Sequence, residues 1–264
     1  MPRAKRRLAQ HFLSDPRILQ RIADALEATG QDTVLEIGPG PGGLTAALVG
    51  RAGRVVAIEK DADLVPGLRA RFPMVTVIEG DALELDWHSL GGPGALVTGN
   101  IPYNITSPLI DKALAPPRPP RIVFLVQKEV ADRVTAAAGE PAYGALSVGV
   151  QAVARAERLF VIPAGAFHPR PKVDSAVLRL TPFHPALVTD AELPAFRRTT
   201  VGLFGFRRKQ LGRGLRELTG WAPERVAEVL RRTEIDPAAR PETLAPPVFV
   251  RLQRALVDEG WAGK

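Results

Sequence analysis

The chain contains no cysteine. That excludes disulfides, thiolate zinc sites, iron–sulfur clusters and cysteine nucleophiles together, and it suits a reducing compartment. Histidine is scarce: His11, His88, His168 and His184 are the four, and none forms an HExxH or similar ligand pair, so no metal is expected. No apolar run approaches the roughly 18–20 residues that a bilayer span needs. The basic start MPRAKRRLAQHFL lacks the apolar stretch of a signal peptide. Its arginine-rich, acid-free composition resembles a mitochondrial presequence, but it runs straight into the first expected helix. The expectation is a cytoplasmic protein, monomeric by default, with no membrane partner.

Acidic residues are missing from two stretches. Residues 1–10 carry four basic side chains (Arg3, Lys5, Arg6, Arg7) and no acid. Residues 197–216 carry seven (Arg197, Arg198, Arg207, Arg208, Lys209, Arg213, Arg216), again with no acid. Between them, residues 11–150 hold 12 basic and 16 acidic groups, a net of −4 within a chain of net +7. Basic patches on an acidic body point to a polyanionic partner, because phosphate contacts supply most nucleic-acid affinity. A merely solvated basic surface is the alternative on charge alone.

What is present is an alternation of strands and helices. The spacing of Ile18, Ile22 and Leu26 predicts a helix over 14–29, capped by Ser14 or Asp15 and ended by Gly30. Strands are expected at 33–37, 54–60, 74–83, 95–100 and 122–127, with helices after several of them. SVGVQAVA (147–154) and SAVLRLTPF (175–183) are further strand candidates. This order predicts an α/β fold with a doubly wound parallel sheet. Residues 181–194 are rich in breakers and read as a linker. Beyond it, helical segments at 192–218, 223–232 and 247–258 predict a small C-terminal all-helical domain. The expected organisation is a basic arm at 1–13, a catalytic domain at 14–182 and a helical, RNA-binding domain at 190–264.

Two constellations carry chemistry. Glu36-Ile-Gly38-Pro-Gly40-Pro-Gly42-Gly43 follows a strand and opens a helix, and Glu59 lies about 20 residues on. This pattern binds a nucleotide-like cofactor, with Glu59 suited to ribose hydroxyls. Pro39 and Pro41 lack the N–H donors of a pyrophosphate cradle, which favours S-adenosylmethionine over a dinucleotide. Asp81 is placed to accept from the adenine amine, and Glu36 to orient the loop or meet the cofactor's cationic end. The second constellation is Asn100-Ile101-Pro102-Tyr103 at the end of the fourth strand. The Asn100 side-chain oxygen and the Ile101 carbonyl offer acceptors for an adenine amine. Pro102 restricts the residue before it to extended geometry. Tyr103 offers a stacking face.

With QHFLSD (10–15), EKD (59–61), EGDAL (79–83), GNIPYNITSPLI (99–110), FHPRPKVDSAVLRL (167–180) and FGFRRKQL (204–211), nearly the whole chain resembles the ribosomal RNA adenine dimethyltransferase family. The resemblance implies a Rossmann-like methyltransferase fold. It implies that His11 and Leu13 contact the cofactor, Gly38 underlies it, Glu59 holds the ribose and Asp81 the adenine. Asn100 would stand at the reacting centre, and Phe167 would face the target base opposite Tyr103. The ending IDPAARPETLAPPVFVRLQRAL resembles the small-subunit branch, which dimethylates two adjacent adenosines near the 3′ end of small-subunit rRNA during ribosome biogenesis. A large-subunit, antibiotic-resistance methyltransferase and a mainly non-catalytic assembly factor remain as alternatives; a nicotinamide-dependent dehydrogenase is disfavoured by the loop prolines. Ile101 stands where leucine is commoner, and FGFRRKQ departs from the commoner serine/glutamine version. Arg3, Lys5, Arg6, Arg7, Arg207, Arg208, Lys209 and Arg213 are the expected RNA contacts, while Phe204 and Phe206 are expected in the small domain's core.

Overall fold

The computed structural model describes residue 5 and residues 10–262. Arg3, Arg6 and Arg7 lie outside the described residues. Two compact units emerge: one contains the chain up to Ala131 with Ala156–Pro182, the other Asp132–Arg155 with the chain from Phe183 onward.

The first unit is built on strands β1 (Phe12–Leu13), β2 (Thr33–Ile37), β3 (Arg54–Glu59), β4 (Thr76–Glu79), β5 (Leu96–Asn100), β6 (Ile122–Gln127), β7 (Ala154–Ile162), β8 (Phe167–His168) and β9 (Ser175–Pro182). Seven form one sheet in the order β4-β3-β2-β5-β6-β9-β7. Pairs β4–β3, β3–β2, β2–β5 and β5–β6 are parallel, and β9 runs antiparallel to β6. Strands such as IVFLVQ read as unbroken apolar runs because both faces are covered; Ile122, Val123, Phe124 and Val126 are fully buried. Helices α1 (Pro16–Leu26), α2 (Gly43–Leu48), α3 (Val65–Arg71), α4 (Trp87–Gly91) and α5 (Thr106–Ala113) belong to this unit, and α6 (Lys128–Thr135) leads out of it.

The order of strands sets the site. From β2 the chain steps outward to β3 and β4, then crosses back to β5 and β6 on the other side. At that reversal, between β2 and β5, an open sheet leaves a crevice beyond its strand ends. The parallel register brings Ile37 level with Ile58 and Gly99, Glu59 level with Glu79, and Asn100 level with Leu125.

Helix α1 starts as expected, with the Asp15 carboxylate accepting from the Arg17 N–H at 2.9 Å. It ends earlier, at Leu26, because Glu27 takes a left-handed conformation (φ 52°). There its carboxylate pairs with Arg121 at 2.6 Å and Arg179 at 3.0 Å.

The second unit contains α7 (Ala145–Gln151), α8 (Leu193–Gly205), α9 (Leu211–Thr219), α10 (Pro223–Arg232) and α11 (Pro246–Asp258). Its core includes Phe196, Leu203, Leu215, Val229, Phe249 and Leu252. Phe204 is half-buried, stacked on Phe249 at 5.8 Å and edge-on to Tyr143 at 6.1 Å.

Three expectations need correction. SVGVQAVA is not a strand: α7 occupies it, opened by the Ser147 hydroxyl accepting from the Gly144 N–H at 3.0 Å. Ser147, Val148 and Val150 are all buried, so the alternation reflects a helix packed on several sides. The strand lies next, at β7, whose charged residues suit its place at the edge of the sheet. The helix expected over 192–218 is two, α8 and α9, separated where Phe206 folds back onto Leu203 and Gln210 is extended. The breaker-rich stretch is no free linker: Phe183 and Leu187 donate to the carbonyls of Val153 and Ala152, and Val188 is buried.

Among the described residues, no helix is long and apolar enough to cross a membrane, and no group of three or more His, Cys, Asp or Glu gathers as a metal site.

Candidate active site

A pocket opens at the sheet reversal. Its lining contains His11, Leu13, Glu36, Gly38, Gly40, Glu59, Asp81, Asn100, Ile101, Pro102 and Tyr103. All the expected cofactor residues and the Asn-Ile-Pro-Tyr turn therefore meet in one cavity. Phe167 does not line it; the side chain is 5% exposed and packs in the core with Leu13 and Leu19.

The glycine loop is pinned from both ends. Gly38 (φ 66°) and Gly40 (φ 56°) adopt left-handed conformations that side chains resist. A Cβ at Gly40 would meet the Phe12 ring at 3.1 Å. The Gly40 N–H donates to Glu59 Oε2 at 2.9 Å, and the Asp61 N–H donates to Oε1 at 2.8 Å. Each oxygen keeps a second lone pair. Burial pushes the Glu59 carboxyl above its ordinary range, against the pull of these backbone donors.

Glu36 is almost fully enclosed, and its Oε2 accepts from the Thr45 hydroxyl at 2.7 Å. Burial pushes its carboxyl up to about 8, with Glu59 adding to the rise. Asp81 is the opposite case. Lys60 Nζ donates to its Oδ2 at 2.5 Å and holds it below the usual carboxylate range, while Oδ1 accepts from the Leu83 N–H at 2.9 Å.

This donor set bears on what the pocket accepts. Among the described residues its charged lining is three carboxyl groups and one cation, Lys60, already paired to Asp81. Among the described residues the lining has no arginine, and two loop positions are proline. A pyrophosphate would meet carboxylates where it needs cations. S-adenosylmethionine, with an ammonium, a sulfonium and an adenosyl group, fits the set.

The acceptor side is equally constrained. Asn100 Nδ2 donates to the His11 carbonyl at 2.8 Å. The Ile101 N–H donates to the Leu125 carbonyl at 3.0 Å, and the Ile101 side chain is buried. Tyr103 shares a 2.7 Å hydrogen bond with the Ser175 hydroxyl, and burial raises its phenol above the ordinary value. The His11 ring stacks on Tyr103 with centroids 5.4 Å apart.

Sequence reasoning places His11 and Leu13 of the N-terminal strap at the cofactor, but misses the pairing that holds the strap there. β1 pairs antiparallel with β8, placing Phe12 opposite His168 and Leu13 opposite Phe167. Ahead of it, Lys5 forms ion pairs with Asp61 and Asp63, and Gln10 Nε2 donates to Asp61 Oδ2 at 3.0 Å. Burial works to raise the Asp61 carboxyl, but Lys5 and Gln10 hold it below its ordinary range. The EKD triplet already contained Asp61; its long-range partners left no local signal.

The basic run of the second unit is unevenly engaged. Arg207 pairs with Glu242 at 2.9 Å and Lys209 with Glu217 at 2.8 Å. Arg213 stands 3.8 Å from Glu217 and is 70% exposed. Arg208 is exposed and forms no ion pair among the described residues.

Comparison with known proteins converges on one group. Residues 1–253 match the family described as ribosomal RNA adenine dimethylase. The ribosomal RNA small subunit methyltransferase A of Acidithiobacillus ferrooxidans is 43% identical over 265 residues, covering 98% of this chain and 97% of that protein. The protein of the same name from Pseudomonas aeruginosa is 41% identical, covering 97% and 96%. Among solved structures, a dimethyladenosine transferase from Plasmodium falciparum superposes with a TM-score of 0.84 at 27% identity, over 95% of this chain and 98% of that one. The 23S rRNA methyltransferase ErmE superposes at 0.74 with 28% identity, over 93% and 99%. With a family match across 253 of 264 positions and relatives above 40% identity along almost its full length, the chain belongs to the ribosomal RNA adenine dimethylase family.

Proposed function

We propose that this protein transfers methyl groups from S-adenosylmethionine to the exocyclic amines of two adjacent adenosines near the 3′ end of small-subunit rRNA, in ribosome biogenesis. The chemistry follows from the family and the pocket; the choice of small-subunit RNA rests on the names of relatives that match nearly end to end.

The observation that carries the reading is the fixed orientation of Asn100. One Nδ2 hydrogen goes to the His11 carbonyl, which can only accept, so the amide is oriented and Oδ1 is its acceptor for a ligand. An adenine amine is a poor nucleophile because its lone pair is delocalised into the ring. Oδ1 of Asn100 and the Ile101 carbonyl accept its two hydrogens and stabilise the positive charge that develops as nitrogen becomes tetrahedral. The anchored Ile101 N–H and Pro102 hold that second carbonyl still. Tyr103, tethered at its hydroxyl by Ser175, presents a ring for the base.

The cofactor supplies a methyl group on a sulfonium, an already activated leaving group. Glu59 holds the ribose through the free lone pairs of its carboxylate. Asp81, ionised beside Lys60, accepts from the adenine amine. Leu13 closes the N-terminal side and Gly38 the floor. No side chain needs to act as a strong base, since the alkylated amine loses its proton to water readily. What remains for the protein is placement.

The test is Asn100→Ala. Methyl transfer to unmethylated small subunits should fall by about a hundredfold or more, the scale of losing a pre-organised transition-state acceptor. Affinity for S-adenosylhomocysteine should stay near that of the parent. Full activity in the variant would remove the assigned role.

A further inference from the structure

His11 holds three partners at once, all on the acceptor side of the pocket. Its carbonyl receives the Asn100 amide at 2.8 Å. Its imidazole stacks on Tyr103, centroids 5.4 Å apart and planes 27° from parallel. Its Nδ1 is 2.7 Å from the Pro169 carbonyl, in the loop that follows β8. The next residue, Phe12, lies against Gly40 of the cofactor loop.

We infer that His11 is a positioning residue for the RNA base, its ring backing Tyr103 and tying the residue-169 loop to the acceptor turn. The inference rests on the reading of Asn100 and Tyr103 as the acceptor site. It gives the His-Phe pair a division of labour that a cofactor contact alone does not: His11 serves the base and Phe12 the cofactor loop. Pro169 is a carbonyl acceptor, so Nδ1 carries the hydrogen in this contact. With one face of Tyr103 covered by His11, a base stacks against the opposite face of a ring that cannot tilt away. The ring is held at three places: the imidazole, the Ser175 hydroxyl and its own backbone turn.

The physical consequence separates binding from turnover. Loss of the imidazole frees Tyr103 and the loop without touching Gly38, Glu59 or Asp81. The effect should therefore fall on the chemical step and on RNA, and should spare the cofactor.

The experiment uses the full chain with unmethylated small ribosomal subunits, and compares His11→Ala, His11→Asn and His11→Phe. S-adenosylhomocysteine affinity is measured by calorimetry beside kcat at saturating cofactor, with Tm as the check on folding. His11→Ala and His11→Asn should each lower kcat by about tenfold, within the reach of an ångström-scale misplacement. Their cofactor Kd should change by less than about threefold, the split that marks lost transition-state positioning. His11→Phe, which keeps a ring against Tyr103, should recover most of the lost kcat. Unchanged kcat in the folded Ala and Asn variants, or a loss confined to cofactor Kd, would overturn the inference. Asn100→Ala serves alongside as the control on the parent reading. If that variant transfers methyl groups normally, the acceptor site itself is misassigned and the role of His11 falls with it. If Asn100→Ala is inactive while the His11 variants are normal, only the present inference fails.

Discussion

The side-chain amide of Asn100 reaches across 89 positions of sequence to the backbone carbonyl of His11, at 2.8 Å. The N-terminal strap thereby sets the orientation of the group that meets the substrate. Asn100→Asp tests this directly. The variant keeps an acceptor for the amine but loses the donor to His11, and it sets a carboxylate against a carbonyl oxygen. Transfer should fall by about a hundredfold, as for loss of a pre-organised donor or acceptor. Steady-state kinetics on unmethylated subunits reads it. Activity near the parent level would mean that the His11 bond does not orient the residue.

Glu36 makes stability depend on pH in a definite direction. Its carboxyl is pushed up from 4.5 to about 8 by burial. Between those values the folded protein retains a proton that the unfolded chain has released. The unfolded state then binds fewer protons, so unfolding free energy falls as pH rises. The penalty is absent below about 4.5 and complete above about 8. Glu36→Gln, which cannot ionise yet can still accept from Thr45, should lose less stability across that window. Denaturant melts of both proteins at pH 5 and pH 9 should diverge by a difference on the order of a few kcal/mol. Parallel curves would contradict the buried-carboxyl assignment.

The basic residues should separate in their salt dependence. Arg208 is exposed and without an ion pair among the described residues, whereas Lys5 is engaged by Asp61 and Asp63. Arg208→Ala should weaken rRNA binding and reduce the slope of log affinity against log salt by about one, the signature of one lost phosphate contact. Lys5→Ala should leave the slope nearly unchanged and instead weaken cofactor binding, because it loosens the strap. Binding titrations at several salt concentrations distinguish the two. Equal slope changes would place Lys5 on the RNA.

Much of the catalytic unit is legible in the sequence, and the reasons are local. TVLEI and IVFLVQ are apolar runs bounded by turn residues, and they fall on β2 and β6 residue for residue. The pocket residues are legible because a parallel sheet puts the end of each strand on one edge. Glu36, Glu59, Asp81 and Asn100 thus meet although 64 positions separate the first from the last. What escaped depends on partners distant in sequence. β7 carries Arg155, Glu157 and Arg158 and reads as surface until it is seen at the sheet's edge. α7 alternates like a strand because its packing covers several sides. The two-residue β1–β8 pair is too short to leave a period, and the pairing of Arg207 with Glu242 bridges 35 positions.

The most direct measurement combines labelled S-adenosylmethionine with unmethylated small subunits, unmethylated large subunits and free rRNA, followed by nucleoside analysis. The account predicts N6,N6-dimethyladenosine on the small subunit, at two adjacent positions near the 3′ end of its RNA. Label confined to large-subunit RNA would contradict the proposed substrate, and no transfer to any of the three would contradict the proposed activity.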